Sequence, residues 1–237
     1  MRLDEYLVSR KYAKNLRQAE GLVLSGNVLV NNTPVTSAGY PVKLSDETRI
    51  RNQKKWVARS AEKLDFALEK FQFDVAGKQC LDIGASTGGF TQVLLHRGAK
   101  NVIALDVAYG FLHSALRNDP SVILMDRTHI CQISSGDLPW KPDIFVADVS
   151  FISLKKVIPC LKNLFENWEG FVLLKPQFEV EPVQLKKGIV TDDADVQSSV
   201  DDFAQFLKTN RIKINDIIQS PIQGKKGNRE FIFWIQW

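Results

Sequence analysis

Long hydrophobic runs are missing from this 237-residue sequence, and Met1–Glu5 is not followed by the apolar segment of a secretory signal. We therefore expect neither a membrane-spanning nor a secreted protein. Cysteine is also scarce: Cys80, Cys131 and Cys160 are too few and too widely spaced for a disulfide framework or a metal-ligand motif. The sequence predicts a protein of the reducing cytoplasm, with no disulfide framework and no bound metal.

The formal net charge is +4, so neither positive nor negative residues are in large excess. The charged residues are, however, unevenly distributed along the sequence. Residues 1–58 carry 10 Lys/Arg and 5 Asp/Glu, a net charge of +5; the remaining residues carry 21 and 22, a net charge of −1. This asymmetry favours a basic, polyanion-binding module attached to a near-neutral body. A solvated basic face would explain the same numbers equally well.

Residues 1–55 have the pattern of a small α+β domain. Apolar residues at helical spacing predict two short helices, and Gly26 stands where the second should end. Asn31 and Asn32 tolerate positive φ and predict a tight hairpin turn between short apolar runs. The predicted elements are helices over 1–10 and 15–25, a hairpin over 28–35, a strand over 46–50 and a polar, basic linker over 51–55.

Residues 60–237 alternate between strand and helix patterns. Alternation of this kind predicts a parallel sheet with helices on both faces. The last two strands are joined by a short polar loop and are expected to form an antiparallel hairpin on that sheet. The predicted strands are 79–83, 101–105, 122–125, 144–149, 171–174, 212–218 and 230–235, and the main helices are 61–70, 154–164 and 194–209.

The clearest local signal is a glycine-rich turn between strand and helix, Leu81-Asp82-Ile83-Gly84-Ala85-Ser86-Thr87-Gly88-Gly89-Phe90-Thr91. Such a turn lets a nucleotide-like cofactor approach the backbone at a helix N-terminus. The spacing departs from G-x-G-x-x-G, and a carboxylate just ahead of the turn would repel a pyrophosphate but favour the sulfonium and ammonium of S-adenosylmethionine. The candidate cofactor-binding residues here are Asp82, Gly84, Ala85, Ser86, Gly88, Gly89 and Phe90.

Two further acids follow the next predicted strands. Asp106 lies 22 residues after Gly84, the position from which a carboxylate accepts hydrogen bonds from ribose hydroxyls. Asp126 ends the third strand and is placed to reach the adenine end of the same cofactor. Each acid has a plainer interpretation, Asp106 as a helix cap and Asp126 as a surface turn residue.

Four residues carry a pattern suited to methyl transfer. Asp148 and Lys175 are predicted at the carboxyl ends of two strands, where open α/β sheets place their ligands. Lys63 lies on the helix before the first strand of the sheet, and Glu230 begins the last strand. A lysine near a ribose hydroxyl stabilises developing negative charge, with Asp148 orienting Lys175 and Glu230 holding Lys63. Ordinary ion pairing at a sheet edge is the alternative interpretation.

Taken together, these segments resemble the TlyA family, whose members carry the name hemolysin but include rRNA 2′-O-methyltransferases with an FtsJ-like catalytic domain. The resemblance covers nearly the whole chain. The N-terminal part is similar to the alpha-L RNA-binding module. The matching segments are Arg2–Leu7, Arg17–Ala19, Gly26–Asn31, Asp82–Thr91, Asp106–Gly110, Asp148–Leu154, Leu174–Glu179 and Gly227–Phe231.

The resemblance implies a Rossmann-like methyltransferase sheet over residues 60–237 and an RNA-binding domain over 1–55, acting on ribosomal RNA. It places Lys63, Asp148, Lys175 and Glu230 on the Lys-Asp-Lys-Glu tetrad of ribose methyltransferases. The candidate RNA-binding residues are Arg2, Arg10, Lys11, Lys14 and Arg17.

The sequence departs from the family pattern at one place. The family often has Arg-Gly-Gly where this chain has Arg59-Ser60-Ala61. This departure keeps open an inactive, RNA-binding ribosome-assembly factor. The family's hemolysin name adds a membrane-lytic protein as a further alternative, although the sequence lacks an apolar span.

Overall fold

The computed structural model describes residues 1–43, 45–51 and 55–237. The chain divides into two compact units, Met1–Lys55 and Trp56–Trp237, which are described separately. The predicted linker over 51–55 lies mostly outside the described residues, because 52–54 are not among them. None of the described helices is long and apolar enough to cross a membrane.

The first unit packs two helices on a three-stranded antiparallel sheet. Its elements are α1 (Leu3–Ser9), α2 (Leu16–Leu24), β1 (Val28–Val30), β2 (Thr33–Val35) and β3 (Thr48–Ile50), with strand order β2-β1-β3. Asn31 and Asn32 have φ of 50° and 64°, so the predicted hairpin turn is confirmed. The core is formed by Leu3, Leu7, Ala19, Val23 and the residues of β1.

Helix α2 begins where the sequence predicts it, because the Asn15 side chain accepts a hydrogen bond from the Gln18 N–H at 2.9 Å. Fewer apolar residues of α2 are buried than their helical spacing in the sequence predicts. Leu16 and Leu24 share the helical spacing of the buried Ala19 and Val23, but they are 51% and 69% exposed. They lie at the two ends of the helix, beyond the turns that pack against the rest of the unit.

The second unit contains a seven-stranded sheet flanked by helices. The elements are α3 (Ala61–Lys70), β4 (Gln79–Ile83), α4 (Gly89–His96), β5 (Asn101–Leu105), α5 (Ser114–Arg117), β6 (Val122–Met125), β7 (Ile144–Ala147), α6 (Leu154–Leu164), β8 (Glu169–Leu174), β9 (Leu185–Lys186), β10 (Ile189–Val190), α7 (Asp193–Thr209), β11 (Lys213–Gln219) and β12 (Phe231–Gln236). The short strands β9 and β10 form a separate hairpin.

The large sheet has the order β11-β12-β8-β7-β4-β5-β6. Strands β4 to β8 are parallel, and β12 is antiparallel to both β8 and β11. The predicted parallel sheet and C-terminal hairpin are therefore confirmed. The chain runs outward from β4 through β5 and β6 and then returns to β7 on the other side of β4. This reversal opens a crevice at the carboxyl ends of β4 and β7, where ligands of such sheets bind.

Both faces of the sheet are buried, as parallel strands require. Leu81 and Ile83 of β4 pack on the side of α6 and α7, while Cys80 packs on the side of α3 and α4. Strand β7 is fully buried but ends at Ala147, two residues before the predicted end. Asp148 therefore lies just beyond the strand, in the crevice rather than in the sheet.

Two of the three cysteines form a disulfide, Cys131–Cys160, which corrects the expectation of a chain without disulfides. The short 3₁₀ turn Ile130–Gln132 packs against α6, so cysteines 29 residues apart in sequence become neighbours. Cys80 remains a free, buried thiol. Sequence spacing gave no sign of this pairing, because it depends on the packing of a loop against a helix.

Candidate active site

The glycine-rich turn after β4 lies directly against the end of β7. Gly84 has φ of 80°, and a Cβ built on it would lie 2.7 Å from the Asp148 carbonyl oxygen. Any side chain here would force the two strand ends apart, so the turn requires glycine. Gly88 then provides the N-cap of α4 with φ of 94°. The turn thereby brings the backbone of Gly84–Ser86 and the Asp148 segment to one crevice.

The larger of two cavities at this crevice has a volume of about 570 Å³, within the range of about 300–1,000 Å³ typical of small-molecule sites. Asp106 lies on its wall and is held from both sides. Its Oδ2 accepts the Ser86 N–H at 2.7 Å and its Oδ1 accepts the Ala108 N–H at 2.8 Å. Apolar side chains, including Val107, Ile130 and Val149, line much of the rest. The cavity suits a ligand with one apolar, ring-like part and one hydroxyl-bearing part.

Asp82 is fully buried beneath the turn and lines neither of these cavities. Its Oδ2 accepts the Thr91 hydroxyl at 2.6 Å, which connects β4 to α4, and its Oδ1 has no hydrogen-bond partner among the described residues. Burial is the main cause that raises the pKa of Asp82 to about 7. Asp82 therefore differs from its predicted placement, because it is enclosed beneath the turn and lines neither cavity.

A smaller cavity of about 450 Å³ adjoins the first, and Gly84, Ser86, Asp148 and Ser150 line both. Lys175 lies on its wall, immediately after β8. The Lys175 Nζ is 2.5 Å from Asp148 Oδ1 and donates a hydrogen bond to Ser150 Oγ at 2.9 Å. The predicted pairing of Asp148 with Lys175 thus occurs in the structure, on the boundary between the two cavities.

Lys63 and Glu230 also form the ion pair that the sequence suggested, and both side chains are buried. Neither residue lines either of these cavities. Glu230 lies just before β12, against Gly224, where an added Cβ would approach Glu230 Oε1 to 2.5 Å. This pair joins α3 to the segment that enters β12, behind the cavity wall.

The segment with the unusual Ser60-Ala61 packs closely on the glycine-rich turn. A Cβ on Gly89 would lie 2.3 Å from Ser60 Oγ and 3.1 Å from the Ala61 nitrogen. Because Gly89 has no side chain, the two larger residues fit, and α3 begins regularly at Ala61. Ser60 also lines the smaller cavity. The departure is therefore accommodated without distorting the helix that carries Lys63.

Glu179 connects two of the motif segments. It accepts the Ser153 hydroxyl at 2.6 Å and the Leu154 N–H at 2.8 Å, so it caps α6. Burial is the main cause that raises the pKa of Glu179 above its usual value. The segment after β8, which carries Lys175, is thereby fixed to the segment after β7, which carries Asp148.

The remaining predicted cofactor residues divide into two groups. Ala85, Ser86 and Phe90 line the smaller cavity. Asp126 lines neither cavity, which differs from its predicted place at the adenine end. Its Oδ2 accepts the Gly110 N–H at 3.1 Å and lies 4.0 Å from Arg117. Asp126 thus has the turn-stabilising position that was its alternative interpretation.

Sequence reasoning singled out no role for several residues around the cavities. Ser150 and Phe151 lie inside a quoted motif, and Phe151 is 92% exposed with φ of 64°, its ring 5.3 Å from that of Phe178. Arg59 and Lys225 line the smaller cavity. Arg59 stands at the arginine of the family's Arg-Gly-Gly pattern, whereas the only signal of Lys225 in the sequence is its charge.

The predicted basic residues of the first unit differ in their availability. Arg10, Lys11, Lys14 and Arg17 are exposed around the end of α1 and the start of α2. Arg2 is engaged instead by Asp4, to which it donates hydrogen bonds of 3.1 and 2.7 Å. The Arg2–Asp4 pair stabilises the start of α1, although the Arg2 side chain is still 56% exposed.

Comparison with known proteins agrees with this architecture. Residues 56–237 match the FtsJ-like methyltransferase model, and residues 1–47 match the S4 domain model. The 16S/23S rRNA (cytidine-2′-O)-methyltransferase TlyA of Mycobacterium tuberculosis is 39% identical, covering 99% of this chain and 89% of the relative. Hemolysin A of Brachyspira hyodysenteriae is 39% identical and covers 98% of each chain. A solved structure from Streptococcus thermophilus, provisionally named a hemolysin, has a TM-score of 0.75 at 32% identity, covering 100% of this chain and 88% of that chain.

The sheet order, the glycine-rich turn and the acid–lysine pair at the strand ends define a methyltransferase of the FtsJ-like class, preceded by an S4 domain. The chain belongs to the TlyA family, as its identity to two members over nearly their full lengths shows. The resemblance noted from the sequence motifs is confirmed.

Proposed function

We propose that this protein transfers a methyl group from S-adenosylmethionine to a ribose 2′-hydroxyl of ribosomal RNA. The observation that carries the proposal is the position of the Lys175–Asp148 pair on the wall shared by two adjoining cavities. Methyl transfer needs two ligands that meet at one point, a methyl donor and a nucleophile. Two cavities with a charged pair at their boundary provide such a point.

The larger cavity fits the adenosine part of S-adenosylmethionine, and Ala85 and Phe90 of the glycine-rich turn would contact the rest of the cofactor where the two cavities adjoin. Asp106 would hold its ribose hydroxyls, since each carboxylate oxygen accepts one hydrogen bond from the described residues and retains a lone pair. Asp82, buried beneath the glycine-rich turn, would favour the cofactor's positive charge when it is ionised. When bound, the cofactor supplies a methyl group activated by the adjacent sulfonium.

The protein's part in the reaction falls to Lys175 and its two neighbours. Lys175 donates to Ser150 and is paired with Asp148, so its ammonium is held in one place on the wall of the smaller cavity. A ribose hydroxyl in that cavity would develop negative charge during attack as its proton passes to Asp148, the one carboxylate among the described residues that line the cavity. The Lys175 charge stabilises that oxygen, and Asp148 keeps the lysine oriented.

Lys63 and Glu230 act from behind the wall in this proposal. Their buried ion pair fixes α3 against the segment before β12 and keeps Ser60 against the glycine-rich turn. They are therefore positioning residues of the tetrad, while Lys175 and Asp148 face the reactants. This division explains how four residues of one motif can contribute unequally to the chemistry.

Two observations support ribosomal RNA as the substrate: the name of a relative and the basic surface of the first unit. The Mycobacterium tuberculosis relative is named for cytidine 2′-O-methylation of 16S and 23S rRNA. The exposed cations Arg10, Lys11, Lys14 and Arg17 of the S4 unit offer contacts for RNA phosphates. Phe151 offers an exposed ring on which an unstacked base can lie. The protein would act in the cytoplasm, where its RNA substrate is made and assembled.

The test compares wild type with Lys175→Met in single-turnover methylation of ribosomal subunits and naked rRNA from cells lacking the gene. Lys175→Met keeps the aliphatic bulk and removes the charge, so turnover should fall about 100- to 10,000-fold while cofactor binding stays nearly unchanged. Mapping of 2′-O-methyl groups in the product identifies the site.

A wild-type rate in Lys175→Met would refute the proposed mechanism. A wild-type protein that binds the cofactor but methylates no ribosomal substrate would instead favour the inactive assembly factor. A vesicle-leakage assay on the same preparation tests the lytic activity that the name of the Brachyspira relative suggests.

A further inference from the structure

The smaller cavity carries more positive charge than its carboxylate balances. Its wall includes Arg59, Lys175 and Lys225, and Asp148 is the one acidic residue among its described lining residues. Lys175 is already paired with Asp148. In the part of the chain that the structure describes, no ion pair joins Arg59 or Lys225 to a carboxylate. Two uncompensated cations at one cavity indicate an anionic ligand.

The turn that carries Lys225 is anchored to buried structure. The Gly224 N–H donates to the Asn228 carbonyl oxygen at 2.8 Å. Asn228 is 3% exposed, and its side chain donates to the Gly188 carbonyl oxygen and accepts the Val190 N–H, both at 2.9 Å. The backbone under Lys225 is therefore fixed relative to the hairpin β9–β10. Only the flexible side chain has to adjust to a ligand.

Arg59 is fixed on another side of the same cavity. Its carbonyl oxygen accepts the Glu62 N–H at 3.1 Å, in the turn that begins α3. The next residue, Ser60, packs on Gly89 and lines the cavity with it. The Arg59 guanidinium can thus reach a ligand from the helix side, while Lys225 reaches it from the turn before β12.

We propose that Arg59 and Lys225 form an anion subsite that holds an RNA phosphodiester beside the target ribose. This inference rests on the proposed function. The carbon next to the 2′-hydroxyl carbon of an internal nucleotide bears a phosphodiester, so a ribose that reaches Lys175 brings a phosphate with it. A guanidinium can bind that phosphate through two hydrogen bonds, and an ammonium binds it as a point charge.

The cofactor's carboxylate is the other anion that could enter this region. It is attached to a carbon that also bears an ammonium, so the amino acid end of the cofactor carries no net charge to match two cations. Arg59 and Lys225 are also both exposed, at the solvent side of the cavity. A phosphodiester chain that continues into solvent fits this position better.

Lys225→Gln tests the subsite against a matched control one residue away, Lys226→Gln. Lys226 is exposed on the same turn and lines neither of these cavities. Its Nζ lies beside Gly188, 3.1 Å from the position of a Cβ added to that glycine. Both variants lose one charge, so their long-range effects on RNA are nearly equal. Arg59→Gln serves as the second subsite variant.

Affinity for rRNA from cells lacking the gene is measured at several salt concentrations with S-adenosylhomocysteine bound. We expect Lys225→Gln and Arg59→Gln to weaken RNA binding about 5- to 20-fold relative to Lys226→Gln. The salt slope should fall by roughly 0.7–0.9 for each subsite variant. Affinity for S-adenosylmethionine should not change.

Equal effects of Lys225→Gln and Lys226→Gln would overturn the subsite. Weakened S-adenosylmethionine binding with unchanged RNA binding would also overturn it, because the anion would then be the cofactor's carboxylate. These measurements need no turnover. An inactive wild type would therefore count against the proposed function alone, and the salt slopes would still decide the subsite.

Discussion

Lys63 and Glu230, 167 residues apart in the sequence, form an ion pair whose side chains are only 7% and 3% exposed. Burial removes both charged groups from water, and each one offsets the cost of burying the other. Removing either side chain would leave a buried charge without a partner. The pair connects the helix before the sheet to the segment that enters the last strand of the chain. The pair therefore stabilises the fold in addition to belonging to the tetrad.

Breaking this pair should destabilise the protein strongly. Lys63→Met and Glu230→Gln are each expected to lower the free energy of unfolding by about 3–5 kcal/mol. The double variant should cost less than the sum of the two, since it leaves no unpaired buried charge. Urea denaturation measures all three. Single-variant losses below about 1 kcal/mol would mean that water screens the pair.

Asp106 and Asp126 follow neighbouring strands of the sheet but should differ in their effect on cofactor affinity. Asp106 lines the larger cavity, whereas Asp126 accepts a backbone N–H elsewhere. Asp106→Ala is expected to cost on the order of 2–4 kcal/mol of S-adenosylmethionine affinity, and Asp126→Ala to cost little. Calorimetry with the two variants decides it. Equal losses, or none at Asp106, would contradict the ribose-binding assignment.

Asp82 predicts a pH dependence of stability with a definite sign. Its folded-state pKa of about 7 lies above the ordinary value of 3.8, because burial disfavours the charged form. Between these values the folded chain holds a proton that the unfolded chain has lost. The contribution of Asp82 to stability is therefore fully present below pH 4, falls as the pH rises and levels off above 7.

The measurement is the difference in unfolding free energy between wild type and Asp82→Asn, from pH 5 to 8. The wild type should lose stability relative to the variant by up to about 1.4 kcal/mol per pH unit below pH 7. Above pH 7 the difference should become constant. A difference that grows in favour of wild type with rising pH would show that Asp82 is charged throughout.

The Cys131–Cys160 disulfide predicts a simple labelling result. Protein purified without reductant and then denatured should be alkylated at one cysteine, Cys80, and at all three after reduction. A crosslink between residues 29 apart in sequence should add about 3–4 kcal/mol of stability. Cys131→Ser should expose Cys160 to alkylation without reductant. Labelling of all three cysteines in unreduced wild type would show that the pair is in the thiol form.

The sequence alone determined the features that depend on local periodicity and on chain order. Asn31-Asn32 predicted the hairpin turn, because only a few residues tolerate its positive φ. Alternating strands and helices predicted that Asp148 and Lys175 would lie near each other, because the carboxyl ends of parallel strands meet at one edge. These inferences need no knowledge of how individual side chains pack.

Only the tertiary structure decided which charged groups face a ligand and which are enclosed. Asp82 lies near the end of β4, and Asp106 and Asp126 follow the next two strands, yet the first is buried, the second lines a cavity and the third stabilises a turn. The difference comes from packing of loops and helices distant in sequence, as does the Cys131–Cys160 pairing. Lys225 and Lys226 are indistinguishable in the sequence, and a single turn, anchored by a buried asparagine, directs one of them to the cavity.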